Sequence, residues 1–240
     1  MQTEMKILTD IHTHTLATPH AYSTITENAK QASELGLQAI AMTDHSGGLD
    51  APHFWHFMNF KALPKEIYGV RILNGIETDI TDIHGTLDTG EEILKKLDIV
   101  VASIHRPTYT ALGTKDNTEA YMAAVENPFV DIIGHSGAPD IAYDYEAVIK
   151  RAKDLGKMIE INQGTFRMRP QNIPTCREIA LWCKKLGAGI CVNSDAHFWT
   201  DIGKRDDAIN ILREIDFPEE LIMNRNLETL KEFLKPRKNI

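Results

Sequence analysis

Seven short apolar runs rich in Ile and Val alternate along the chain with amphipathic stretches, and this alternation restricts the fold more than any other feature. Such a pattern is typical of repeated β-strand and α-helix units around a parallel sheet. The chain is therefore predicted to be an α/β protein. The predicted strands are residues 5–12, 37–44, 70–77, 98–105, 130–135, 158–162 and 189–195.

Seven other segments carry apolar residues at helical spacing and are predicted helices, and three of them end in Leu-Gly, at Gly36, Gly156 and Gly187. The predicted helices are residues 26–36, 90–97, 117–127, 145–156, 174–187, 206–215 and 226–234. Glycine supplies the left-handed residue that often follows a helix. Seven units fit 240 residues, whereas an eight-unit barrel needs about 250 residues. We therefore predict a β/α barrel of seven or eight strands, closed or nearly closed. It would form a single domain over residues 1–240, with residues 235–240 frayed.

Composition limits the partners and the compartment. A net charge of −8 and a pI near 5.7 argue against a long nucleic-acid partner, because phosphate-backbone affinity usually comes from clustered Lys and Arg. Cys176, Cys183 and Cys191 form no Cys-x-x-Cys pair, which favours a reducing compartment. No secretion signal and no apolar run of roughly 18 residues is found. We expect a cytoplasmic protein with no membrane partner, and a homo-oligomer stays open.

Residues able to bind a metal recur at the ends of the predicted strands. In a parallel barrel the carboxyl ends of all strands converge on one mouth, where active sites are found. A lone strand-end histidine is more often a hydrogen-bonded core residue than a ligand, but independent structural histidines have no reason to recur on one face. The pattern therefore predicts a metal site. Its candidates are His12, His14, Asp44, His45, Glu77, His105, His135, Asn162, Asp195 and His197.

Three other histidines are left outside this site. His53 and His56 lie in an aromatic stretch and are predicted to form part of a lid or packing segment. His84, in the sequence Asp-Ile-His-Gly, is predicted to be a turn residue.

The motifs at these positions resemble a known family. They are DIHTHT at 10–15, TDH at 43–45, GIET at 75–78, SIH at 103–105, GH at 134–135 and SDAH at 194–197. In this order they resemble the PHP (polymerase and histidinol phosphatase) superfamily over nearly the whole chain, and within it the stand-alone YcdX-type phosphatases. One position departs from many relatives, because Ser136 stands where they have proline.

The resemblance implies a distorted TIM-like (β/α)7 barrel of the PHP type, with three divalent metal ions. These ions are usually zinc, although manganese and iron occur in relatives. Mixed nitrogen and carboxylate ligands suit all three metals. Glu77, Asp195 and His197 are the predicted catalytic residues. By the resemblance, Glu77 bridges two ions, the first also bound by His12, His14 and Asp195, the second by His105 and His135, while His20, His45 and His197 bind the third.

The predicted activity is hydrolysis of a small phosphomonoester by a hydroxide that bridges two metal ions. Arg106, at a strand end, is a candidate substrate contact, as are Arg167 and Arg169, which are predicted to lie in the loop after the sixth strand. Each of the three is as readily interpreted as a surface residue in an ion pair. Asp44 and Asn162 are predicted to orient metal ligands.

Three alternatives stay open at this point. The first is a histidinol-phosphate phosphatase, which uses the same chemistry. The second is a PHP-type phosphodiesterase or nuclease acting on nucleic-acid ends, which the negative charge disfavours. The third is a non-catalytic metal-binding module, which the number of histidines and the lack of thiolate ligands disfavour. Substrate choice is assigned to residues 46–60 and 163–173, whose conformations the sequence does not give.

Overall fold

The computed structural model describes residues 5–49, 54–238 and 240. Seven parallel strands form one sheet in the order β1-β2-β4-β5-β6-β7-β8, and each overlaps one of the seven predicted strands. The predicted α/β barrel, nearly closed, is therefore confirmed. The strands are β1 Thr9–Thr13, β2 Ala39–Met42, β3 Glu66–Ile67, β4 Val70–Asp79, β5 Ile99–Ser103, β6 Ile132–Ile133, β7 Met158–Asn162 and β8 Ile190–Asn193.

The short strand β3 was not predicted. It pairs antiparallel with β4 through Glu66 with Arg71 and Ile67 with Val70. The two residues between these strands, Tyr68 and Gly69, have φ angles of 53° and 77°. Positive φ at both central residues is typical of a tight hairpin turn. Because Tyr68 occupies the first of these positions, where Asn, Asp or Gly is usual, the sequence signal for such a turn is absent.

Helices cover the outside of the sheet. Thr24 and Glu27 begin the first helix with a reciprocal capping box, and Gly187 ends α7 with a φ of 66°, as predicted for a glycine after a helix. Two of the helices, α2 and α6, are additional to those predicted. The helices are α1 Ile25–Glu34, α2 Phe54–Met58, α3 Glu91–Leu94, α4 Thr114–Glu126, α5 Tyr145–Asp154, α6 Gln163–Met168, α7 Ile173–Leu186, α8 Asp206–Glu214 and α9 Leu227–Leu234. None of the helices in the described ranges is long and apolar enough to cross a bilayer.

The side chain of Asn224 joins the first strand to the last. Its Nδ2 donates to the carbonyls of Thr9 at 3.2 Å and Val192 at 2.9 Å, and its Oδ1 accepts from the N–H of Val192 at 3.0 Å. Further along, the N–H of His14 donates to the carbonyl of Ala196 at 2.9 Å. The seam, where β1 lies beside β8, is thus closed by the side-chain amide of Asn224 and, nearer the carboxyl ends of the strands, by a backbone hydrogen bond.

Alternation along the strands separates two apolar layers and directs polar groups to the mouth. On β5, Ile99 and Val101 face the barrel interior, whereas Val100 and Ala102 pack against the helices. The next interior position is Ser103, at the floor of the mouth. Leu230 and Leu234 of α9 belong to the interior cluster, so this helix closes the opposite end.

The predicted fraying of residues 235–240 is wrong for two of them. Lys238 pairs with the buried carboxylate of Asp131, and Arg237 Nη2 lies 3.6 Å from its other oxygen. A buried carboxylate without a partner is costly, so pairing with Asp131 stabilises Arg237 and Lys238 in their positions against the barrel.

Candidate metal centre

The structure brings all nine predicted metal ligands together at the mouth of the barrel. Ring centroids lie 4.2 Å apart for His14 and His197, 4.5 Å for His14 and His45, and 4.9 Å for His105 and His135. The convergence follows from the topology, because every contributing strand runs in the same direction. The nine are His12, His14, His20, His45, Glu77, His105, His135, Asp195 and His197.

Glu77 lies in the middle of this cluster and is 1% exposed. Its Oε2 is 3.2 Å from Nε2 of His12 and 3.0 Å from Nδ1 of His45. Its Oε1 is 2.9 Å from Nε2 of His135 and 3.5 Å from Nε2 of His105. One carboxylate therefore lies between two groups of imidazoles, a position that suits the predicted bridging role.

Three buried atoms of the cluster point to a missing partner. His12 Nε2, His45 Nδ1 and Glu77 Oε2 make no hydrogen bond of acceptable geometry with the described residues. Leaving a buried polar atom unsatisfied costs about 1–3 kcal/mol. Imidazole and carboxylate lone pairs of this kind are ligands for divalent transition metals. The residues present therefore fit a metal centre.

The side-chain geometry groups the ligands somewhat differently from the predicted assignment. Ligand atoms lie within 4.8 Å of one another in three sets: His14, His45 and His197; His12, His14 and Glu77; His45, Glu77 and His105. His14 and His45 each fall in two sets, whereas the resemblance assigns each of them to one ion. The assignment of ligands to individual ions stays a prediction.

The electrostatics of the cluster hold two of its ligands in the form that binds metal. Burial alone would raise the pKa of Glu77, but His12, His45 and His105 hold it well below its ordinary value. Burial and the neighbouring His45 lower the pKa of His14 to about 3, so its ring stays neutral. The cluster thus offers an ionised carboxylate beside a neutral imidazole.

His20 and His197 form the outer edge of the centre. His20 is exposed, and its ring centroid is 4.9 Å from that of His197 and 5.1 Å from that of His45. His197 has a 26% exposed side chain. These two rings are therefore the part of the cluster nearest to an incoming substrate.

The predicted orienting residues Asp44 and Asn162 contact the cluster through hydrogen bonds. Asp44 accepts from the N–H of Thr15 at 2.7 Å and from the hydroxyl of Thr18 at 2.8 Å, which fixes the loop after β1. The Thr18 hydroxyl lies 3.3 Å from Nδ1 of His14. Asn162 Nδ2 donates to Asp195 Oδ2 at 3.2 Å. Both contacts suit the predicted role.

Two buried acids beside the ligands were not predicted. Glu160 Oε1 lies 2.8 Å from Nδ1 of His12, and Asp79 forms a hydrogen bond with Nδ1 of His105. The signal was present in the sequence, because Glu160 precedes Asn162 by two residues and Asp79 follows Glu77 by two. Residues two apart on a strand share a face.

A cavity of about 670 Å³ opens above the ligands and is walled on its outer side by Arg106, Arg167, Met168 and Arg169. Arg167 lies in α6 and pairs with Asp201, so its predicted place in a loop is wrong. Arg106 Nη1 is 2.5 Å from Oδ2 of Asp140. Arg169, in contrast, has no ion pair among the described residues.

The three histidines that were predicted to lie outside the metal site differ in their positions. His84 is exposed in a turn, where its N–H donates to Asp82 Oδ1 at 2.9 Å, as predicted. His56 Nε2 lies 3.7 Å from Asp44 Oδ2, so α2 reaches the edge of the site. His53 lies outside the described residues.

Comparisons with known proteins agree with the family resemblance of the sequence motifs. Residues 10–165 match the family model described as PHP domain. A protein of Clostridium novyi (strain NT) named a probable phosphatase is 45% identical over 235 residues, covering 97% of this chain and 96% of its own. A second probable phosphatase, from Thermoanaerobacter sp. (strain X514), is 45% identical over 237 residues, covering 98% of this chain and 97% of its own.

A solved structure shares the fold. It is the histidinol phosphate phosphatase of Lactococcus lactis subsp. lactis Il1403, described as complexed with Zn, L-histidinol and phosphate. Its TM-score to this chain is 0.60 at 17% identity, covering 86% of this chain and 91% of that one. At this identity the likeness concerns the fold alone.

Proposed function

The chain belongs to the PHP domain family and is a phosphatase, and from this premise we propose that it hydrolyses phosphomonoesters at a centre of three divalent ions. One observation carries the proposal: nitrogen and oxygen ligands from separate strands meet on the floor of a cavity of about 670 Å³, with buried ligand atoms left unpartnered. A structural metal site would close its coordination with four ligands, whereas this set has nine.

The proposed ligand assignment is that implied by the family resemblance. Glu77 would be a ligand common to two ions. Zinc is the first choice, with manganese and iron suited to the same donors. Divalent ions bound there would act as Lewis acids. They would lower the pKa of water, so that hydroxide is available near neutral pH, and they would offset the negative charge of the phosphate. The sets are His12, His14 and Asp195; His105 and His135; and His20, His45 and His197.

The chain's own residues prepare the site for a phosphate dianion. Glu77 and Asp195 are ionised, because neighbouring imidazoles hold the pKa of each carboxyl below its ordinary value against the effect of burial. Asn162 fixes one oxygen of Asp195, leaving Oδ1 directed toward His14 at 3.1 Å. His197, at the outer edge, is placed to contact the substrate.

Arg169 is the proposed phosphate-binding cation. It lines the cavity beside His105 and His135. Arg106 and Arg167 are already paired with Asp140 and Asp201, so their charges are largely offset. An arginine without an internal partner can instead donate two parallel hydrogen bonds to a phosphate.

The test compares 4-nitrophenyl phosphate with its bis-ester for the purified protein, before and after treatment with a chelator. Three metal cations and Arg169 attract the doubly charged phosphate of a monoester more strongly than the singly charged phosphate of a diester. We expect faster hydrolysis of the monoester, and loss of both activities after chelation with recovery on adding Zn²⁺ or Mn²⁺. A clear preference for the bis-ester would favour the phosphodiesterase alternative instead.

A further inference from the structure

We propose that Glu160 is a positioning residue that fixes two of the metal ligands, His12 and His135, before any metal binds. The proposal rests on the metal centre of the proposed function and adds to it a residue that touches neither metal nor substrate. Glu160 lies on the interior face of β7, below the ligand cluster, and is 3% exposed.

Four hydrogen-bond donors surround the Glu160 carboxylate. Oε1 lies 2.8 Å from Nδ1 of His12 and accepts from Nδ2 of Asn193 at 2.9 Å. Oε2 accepts from the backbone N–H of His135 at 2.9 Å and from Nδ2 of Asn162 at 3.0 Å. Both oxygens are therefore saturated, and the carboxylate holds together four residues from β1, β7, β8 and the loop after β6.

The contact with His12 selects which of its nitrogens can bind a metal. An ionised carboxylate only accepts hydrogen bonds, so Nδ1 of His12 must carry the proton. The other nitrogen, Nε2, is buried without a hydrogen-bond partner, 3.2 Å from Oε2 of Glu77 and 3.7 Å from Oδ1 of Asp195. Glu160 thus directs a nitrogen toward the two carboxylate ligands.

The contact with His135 acts on the backbone. His135 has a φ of 21°, a sparsely populated conformation that stores backbone strain. Oε2 of Glu160 accepts the N–H of this strained residue, which holds it in place. In that conformation Nε2 of His135 reaches Oε1 of Glu77 at 2.9 Å. Through Asn162, the same carboxylate oxygen is also linked to Asp195.

The donor pattern explains why this position requires a carboxylate. All four partners donate, whereas the amide of a glutamine has one accepting oxygen and one donating NH₂ group. In either orientation of the amide, Glu160→Gln directs NH₂ hydrogens at two donors. The substitution keeps the size of the side chain, so a loss of metal affinity would report the hydrogen bonds and not a cavity.

The experiment measures Zn²⁺ affinity by competition with a chromogenic chelator for the wild-type protein, Glu160→Gln and Asp131→Asn. Asp131 is the matched control, because it is also a fully buried acid whose carboxylate accepts a backbone N–H, from Val100 at 2.9 Å, but at the other end of the barrel. Loss of residues that orient metal ligands typically costs about 10- to 100-fold in affinity. We expect that loss for Glu160→Gln and less than threefold for Asp131→Asn.

A second measurement does not require the variant to fold. In Zn²⁺-loaded wild-type protein, ¹⁵N chemical shifts of the imidazoles should identify Nδ1 of His12 as protonated and Nε2 as the metal-bound nitrogen. A metal-bound Nδ1, or wild-type affinity in folded Glu160→Gln, would overturn the proposal for Glu160. Wild-type protein that binds Zn²⁺ but hydrolyses no phosphomonoester would overturn the proposed activity and leave the result for Glu160 standing.

Discussion

The backbone N–H of Asp195 donates to the carbonyl of His12 across 3.0 Å, which joins the segment that follows the last strand to the first strand of the barrel. Asp195 has a φ of 54°, in the left-handed region that few residues other than glycine occupy. With the backbone so turned, its carboxylate lies 3.1 Å from Nε2 of His14. Closure of the barrel and assembly of the metal site therefore depend on the same short stretch of backbone.

The first prediction concerns the seam below that contact. Asn224→Ala removes the buried amide that bonds to Thr9 and Val192, and it leaves backbone groups of both strands unsatisfied. Since each such group costs about 1–3 kcal/mol, we expect the free energy of unfolding to fall by roughly 2–4 kcal/mol. Urea unfolding followed by circular dichroism, in a chelating buffer, measures it. Asn59→Ala is the control, because Asn59 is exposed and makes no side-chain capping bond, and an equal loss there would contradict the role given to Asn224.

The second prediction is that the protein binds close to three divalent ions per chain when purified without chelator. The expectation follows from the number of convergent ligands, because each ion of a catalytic centre commonly takes three or four protein ligands. Elemental analysis, before and after reconstitution, measures the ratio of metal to protein. A ratio that stays well below two after reconstitution would exclude a trinuclear centre.

The third prediction separates two arginines of the cavity wall, Arg167 and Arg169. A hydrogen bond to a charged partner contributes about 1.5–3 kcal/mol, so Arg169→Ala should lower kcat/KM for a phosphomonoester by about 10- to 100-fold. Arg167→Ala should cost less, because Asp201 already offsets that charge. Steady-state kinetics of both variants, with exposed Arg213→Ala as control, measure the difference. Equal losses for Arg167 and Arg169 would show that the internal ion pair does not decide which arginine binds phosphate.

The barrel and the positions of its ligands could be predicted because both follow from simple periodicities. Alternation of residues along a strand decides which side chain faces inward, and parallel strands place their ends together. Glu77, His105 and His135 were located in this way from chain positions alone. A small set of rules sufficed, because each ligand depends mainly on its own strand.

The remaining features depend on contacts that no local pattern records. Glu160 and Asp79 are acids at interior strand positions, and only the folded barrel shows that each meets the Nδ1 of a histidine. Helix α6 has only two large apolar residues, Phe166 and Met168, which are too few for helical periodicity to reveal it. The placing of His14 in two candidate metal sets results from side-chain directions, which sequence spacing does not determine.

The last prediction concerns Glu77, the one proposed ligand shared by two ions. Glu77→Gln keeps the shape of the side chain but removes the negative charge that offsets two cations, so metal affinity and the supply of hydroxide should both suffer. We expect turnover of a phosphomonoester to fall by about 100-fold or more, since a metal site contributes several kcal/mol to the transition state. The fold should survive, because Glu77 lies above the apolar interior layer and not within it.

The matched control is His84→Ala, since His84 is an exposed turn residue outside the cluster and should leave turnover nearly unchanged. Turnover, bound metal and circular dichroism are measured for both variants. Loss of activity with loss of metal and an unchanged spectrum is the expected result for Glu77→Gln. If that variant instead kept both its metals and its full activity, a carboxylate at this position would not be needed, and the bridge would have to be assigned to Asp195, the other carboxylate among the nine ligands.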